Sequence, residues 1–167
     1  VVLREALSRA NIEGQDLSEV IMGQILTAGQ GQNPARQASI AAGIPIEVPA
    51  WNMNQVCGSG LRSVALAAQA VRNGDSGIVA AGGQENMSLS PHCAHMRNGT
   101  KMGGLELIAT MIKDGLWDAF NGYHMGPTAE NVPSKAPTTR EEPVPFAGTT
   151  QHEAEAAHTA GKSRASS

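Results

Sequence analysis

The sequence predicts an α/β fold, a mixed sheet flanked by helices whose first strands run parallel. Three observations carry this. Segments of helical and strand-like period alternate in the order αβαβαβ through the first half of the chain. Two of the strand-like segments, Glu19 to Leu26 and Gly77 to Gly83, are short apolar runs, the pattern of strands buried on both faces. Of the 167 residues, 41% are hydrophobic, 16% charged and 3% aromatic, and 19 are glycine, which suits a closely packed Ala/Gly-rich domain and not a disordered chain.

Val1, Val2, Ala6, Leu7 and Ala10 recur at helical spacing with Arg4, Glu5 and Arg9 between them. The chain therefore opens in what reads as the tail of an amphipathic helix, ended by Asn11 and Gly14. Glu19 to Leu26 reads as a buried strand. Asn33-Pro34 starts a helix, because Asn caps well and proline at the first helical position loses no hydrogen bond. Gly43 stops it. Residues 49–55 alternate as a strand does. Leu61, Val64, Ala65, Ala68 and Val71 mark a helix ended by Asn73-Gly74, and Gly77 to Gly83 is a further buried strand. From Asn86 the character changes: residues 88–104 are rich in Ser, His, Gly and Met with no period, as in a functional loop. This divides the chain into residues 1–86 and 87–167. Glu106 to Lys113 and Gly126 to Val132 read as helical. Pro133, Pro137, Pro143 and Pro145 then fall where helix is otherwise expected, an interior proline costing about 3 kcal/mol. Gln151 to Ala160 reads as a last helix.

Charge and cysteine content narrow the function. The net charge is −3 and no basic stripe interleaved with aromatics occurs, which argues against nucleic acid as a partner. No apolar run approaches the length of a membrane span, and no segment reads as a signal peptide. Two cysteines in a chain of this size do not make a disulfide framework, so reduced thiols and a cytoplasmic location are expected. His92, Cys93 and His95 crowd into four residues with no distant partner pair, which does not match zinc spacing, and no metal is expected.

The most informative segment is Asn54-Gln55-Val56-Cys57-Gly58-Ser59-Gly60-Leu61-Arg62. It sets a cysteine between a strand and a helix. There the sulfur meets the positive end of the helix dipole and free backbone N–H groups, which favour the reactive thiolate. Gly58 and Gly60 remove side chains that would obstruct a bulky substrate. On spacing alone the segment also fits a small buried core cysteine, or a phosphate-binding turn near the G-x-G-x-x-G pattern. Glu85, at a predicted strand end, reads as a structural acceptor for nearby backbone N–H groups.

Five segments in one register resemble the thiolase family. Asn54 to Leu61 resembles its nucleophile signature. Gly82-Gly83-Gln84-Glu85-Asn86-Met87-Ser88 resembles its strand-end segment, and Gln30 to Gln37 a further family segment. Gly122-Tyr123-His124-Met125-Gly126, with Thr128 to Asn131, resembles the substrate-channel motif. Ser90 to His95, with Lys101-Met102-Gly103, is similar to the oligomerisation loop of the biosynthetic acetyl-CoA acetyltransferases.

The resemblance implies a layered αβαβα fold of which this chain is part of the N-terminal half, with a further, central strand ahead of Val1. It implies acyl transfer through a Cys57 thioester, condensing two acetyl-CoA to acetoacetyl-CoA and CoA by a reversible ping-pong route. Coenzyme A thioesters are then the substrates, and no resident cofactor is required. Leu116, His124 and Met125 match substrate-channel positions. Residues 93–110 match the loop that reaches another subunit in homotetrameric members. The family's activating histidine, second cysteine and Asn-held water belong to a C-terminal half, so this chain alone is expected to be inactive. A degradative 3-ketoacyl-CoA thiolase and a non-catalytic, thiolase-derived binding module are the alternatives.

Overall fold

The computed structural model describes residues 1–135, 141 and 143–162, the side chains of residues 133–135 excepted. The chain forms two compact units, Val1–Trp117 and Asp118–Ser167.

In the first unit, helix α1 (Val2–Ala10) ends at Asn11, which takes the left-handed conformation at φ 53°. Strand β1 (Glu19–Gly23) leads to helix α2 (Pro34–Ala42), strand β2 (Ala50–Met53), helix α3 (Ser59–Asn73) and strand β3 (Val79–Gly83). The strands form one parallel sheet in the order β2-β1-β3. In register, Val20 lies opposite Ala50 and Ala80, and Gly23 opposite Met53 and Gly83. All three strands therefore end level, and the loops beyond them leave from one edge.

Side chains alternate across a strand. Val20 and Met22 point to the side of α1 and α2, where Leu17, Ala35, Ile44 and Val48 complete a buried cluster. Ile21, also buried, points to the α3 side. Helices thus cover both faces, and the predicted α/β fold with a parallel sheet is borne out. One implication needs correction. β1 is hydrogen-bonded on both sides, by β2 and by β3, so no further strand fits at the centre; an added strand can join only at an edge. β3 is itself an edge strand here, and Val79 to Gly82 are half-buried and Gly83 exposed where full burial was expected.

Beyond β3, strand β4 (His92–Cys93) pairs antiparallel with β5 (Ile108–Ala109). The expected helix over Glu106 to Lys113 forms only from Thr110 onward. Thr110, 2% exposed, anchors the hairpin: its N–H and its hydroxyl both donate to the Pro91 carbonyl, at 3.2 and 2.6 Å. Once Ile108 and Ala109 are paired in a ladder, the helix loses its first turn. Met111–Leu116 then coils into a wide π-helical turn.

In the second unit, strand β6 (Tyr123–His124) precedes helices α4 (Met125–Lys135) and α5 (Pro143–Thr159). The prolines interrupt less than their number predicts. Pro143 is the first residue of α5 and Pro145 the third, positions whose N–H has no intrahelical partner to lose. Pro133 does lie inside α4, in its last turn, and having no N–H it leaves out one of the bonds to the carbonyl four residues back. Pro137 lies outside the described residues.

Candidate active site

The site is built on the edge of the sheet where the strands end. Four residues after Met53, Cys57 stands ahead of α3, its side chain exposed to solvent. Within this chain Cys57 is therefore not part of the core.

The seat for α3 is cut by glycine. A β-carbon at Gly23 would collide with the Ser59 carbonyl carbon, standing 2.5 Å from its oxygen and 2.6 Å from Gly60 N. Only a bare backbone at the end of β1 lets the first turn of α3 come this close. A β-carbon added at Gly60 would stand 3.8 Å from the Gly83 Cα, an ordinary van der Waals contact, so packing against β3 does not by itself demand glycine there. Ser63, fully buried, presents its hydroxyl 2.7 Å from both the Gly60 and the Gly82 carbonyl oxygens, tying helix to strand.

The turn itself is tightly specified. Asn54 Oδ1 accepts from Val56 N at 2.9 Å. The Ser59 hydroxyl accepts from Gln55 N at 2.9 Å and donates to the Val56 carbonyl at 2.6 Å. Gly58 N donates to Gln55 O, and Ser59 N to Val56 O, both at 3.1 Å. Val56 between them has φ 50°.

Amide and carboxylate side chains brace the neighbouring loops. Glu85 Oε2 accepts from Ile25 N at 2.9 Å and Oε1 from Leu26 N at 3.1 Å, the structural role expected of it. These bonds also explain why β1 stops at Gly23 and not at Leu26: the next N–H groups turn toward a carboxylate instead of a strand. Gln24, buried, donates to Leu26 O and Gln30 Oε1 and accepts from Gln84 Nε2 at 2.7 Å. Asn33 caps α2 by accepting from Arg36 N and donates to Ala50 O, while Arg36 reaches the Val48 and Ile46 carbonyls at 2.6 Å. Gln24 and Arg36 carry no catalytic signature in the sequence; the signal was their place beside glycine and proline, where loops need side-chain acceptors and donors.

Leu116 is the last residue of the π-helical turn in the first unit, half-buried. His124 ends β6 in the second unit, exposed, with Nδ1 accepting from Gly126 N at 3.3 Å. Met125 opens α4 and is 40% exposed. Among the described residues, no group of three His, Cys, Asp or Glu side chains is placed to hold a metal ion. No helix among them is long and apolar enough to cross a membrane.

The family model for the thiolase N-terminal domain matches residues 1–165. The chain belongs to the thiolase family. A protein of Paracoccus denitrificans named acetyl-CoA acetyltransferase is 60% identical over 97% of this chain and 41% of its own length. The cytosolic acetyl-CoA acetyltransferase of Rattus norvegicus is 54% identical over 96% of this chain and 40% of its own. The crystal structure of the Acat5 thiolase from Ascaris suum in complex with coenzyme A superposes with a TM-score of 0.89 at 34% identity, covering 97% of this chain and 42% of that one. This thiolase chain therefore spans about two-fifths of the length of the relatives it matches.

Proposed function

We propose that the chain supplies the nucleophile half of an acetyl-CoA acetyltransferase. The observation that carries this is Cys57, uncovered at the amino end of α3 on the carboxyl edge of a parallel sheet, where open α/β folds bind their ligands. The names of the relatives, and the coenzyme A in the Ascaris suum structure, support acetyl-CoA as the substrate.

In this reading the Cys57 sulfur attacks the thioester carbonyl of acetyl-CoA. A bond to carbon forms, the tetrahedral oxyanion collapses, and the carbon–sulfur bond to CoA breaks. Backbone N–H groups at the start of α3 stabilise the oxyanion, one such donor being worth about 3 kcal/mol. A second acetyl-CoA loses an α-proton and its carbon attacks the acetyl-enzyme, releasing acetoacetyl-CoA and the Cys57 thiolate. Splitting one hard step in two is the advantage of the covalent route. The substrates carry all the chemistry, and no resident cofactor enters.

His124 and Met125 are assigned to contact with the substrate's pantetheine arm, His124 by packing and not as a base, and Leu116 to another contact with the substrate. The proton transfers fall to residues outside this chain, which alone does not turn over. The hairpin of β4 and β5 and the loop between its strands are the contact to other subunits in a cytoplasmic homotetramer.

Mass spectrometry of the full-length protein after brief exposure to acetyl-CoA tests the central claim. One acetyl group is expected on the peptide carrying Cys57, and none in Cys57→Ser. An adduct elsewhere, or none under conditions of turnover, overturns it.

A further inference from the structure

We propose that Asn54 and Ser59 are positioning residues whose side chains clamp Val56 in the left-handed conformation and so aim Cys57. The proposal rests on Cys57 as the acyl carrier and adds what holds it.

Val56 has φ 50°, a region that L-residues avoid and β-branched residues most of all, because Cβ crowds the carbonyl that comes next. Nothing about its own side chain repays this, for Val56 is 44% exposed. The conformation is imposed from outside. Asn54 Oδ1 holds the Val56 N–H, and the Ser59 hydroxyl holds the Val56 carbonyl while taking the N–H of Gln55. Both polar groups of the strained residue are thus gripped by side chains. Ser59 is the fixed end of the grip: it is 4% exposed and its backbone lies against Gly23 of β1. With the clamp open, the peptide before Cys57 relaxes toward the ordinary β or helical regions. That swings the sulfur away from the first amides of α3. Strain held next to a reacting group by its surroundings is how a sharp turn presents a nucleophile.

The clamp makes a prediction that a merely structural role does not. Glycine adopts positive φ without penalty. Val56→Gly therefore makes the clamp redundant. Single-turnover acetylation of Cys57 by acetyl-CoA, and its alkylation by iodoacetamide, are measured in the full-length protein. Asn54→Ala and Ser59→Ala are expected to slow acetylation about 10- to 100-fold with the half-saturating acetyl-CoA concentration unchanged. Pairing either with Val56→Gly is expected to restore most of the rate. Asn54 is exposed, so its variant carries the test if Ser59→Ala does not fold. Wild-type rates in both single variants, or slowed rates that Val56→Gly does not restore, overturn the proposal. Should iodoacetamide alkylate wild-type Cys57 while acetyl-CoA leaves it unmodified, the acyl-carrier reading fails. The clamp is then judged on the alkylation rates, where the same loss and recovery are expected.

Discussion

Single carboxylates in this chain act by gathering backbone N–H groups. Glu85 does so for two residues almost sixty positions earlier, and Asp118 for its own turn. Asp118 accepts from Asn121 Nδ2 at 2.7 Å and from the N–H groups of Phe120 and Asn121. The Asn121 side chain, then the two backbone bonds, hold its carboxyl below the ordinary aspartate value, against a small opposing effect of burial. A depressed value in the folded turn means stability present above the ordinary aspartate value and lost as pH falls through the folded one. Amide resonances of Phe120 and Asn121 are therefore expected to shift, and their exchange to quicken, only at pH below the usual carboxylate range. Asp118→Asn should move that response out of the titration altogether. A response centred at or above the ordinary value would show that the turn does not stabilise the charge.

At the scale of elements, α2 shows how a loop and a cap are made by one residue. Asn33 sits at φ 44° with its side chain bonded both to the helix and to β2. Asn33→Ala is expected to cost about 1–2 kcal/mol in denaturant unfolding of the full-length protein. Asn33→Gly should cost less, since glycine restores the backbone freedom though not the bonds. This element, its cap and its stop at Gly43 were legible in the sequence because each rests on local chemistry. So were the strands over Glu19–Gly23, Ala50–Met53 and Val79–Gly83, and the turn that carries Cys57. The prolines aside, the misreadings were decided by partners distant in sequence. Ile108 and Ala109 pair with His92 and Cys93, so coiling begins only at Thr110, and the end of β1 answers to Glu85. Nor does any periodicity reveal that Val56 is left-handed, because its conformation depends on two side chains that flank it.

Taken whole, the described chain leaves much of its apolar surface uncovered. Leu61, at 79% exposure, Val64 and Val71 recur along one side of α3 and face solvent. A groove of about 750 Å³, lined by Leu3, Leu7 and Val79 among others, runs beside the open edge of β3. Contiguous apolar surface and an unpaired edge both promote association. The 167-residue chain expressed alone is expected to bind the dye ANS and to melt without a sharp transition; a cooperative calorimetric peak from the isolated chain would contradict this. The seam between α3 and the sheet will tolerate evolution least. Any side chain introduced at Gly23 meets main-chain atoms of Ser59 and Gly60, and main chain cannot be trimmed by mutation. A suppressor screen against a substitution at that position has nothing smaller to select, so lineages that lose this glycine have only one way back, which is reversion.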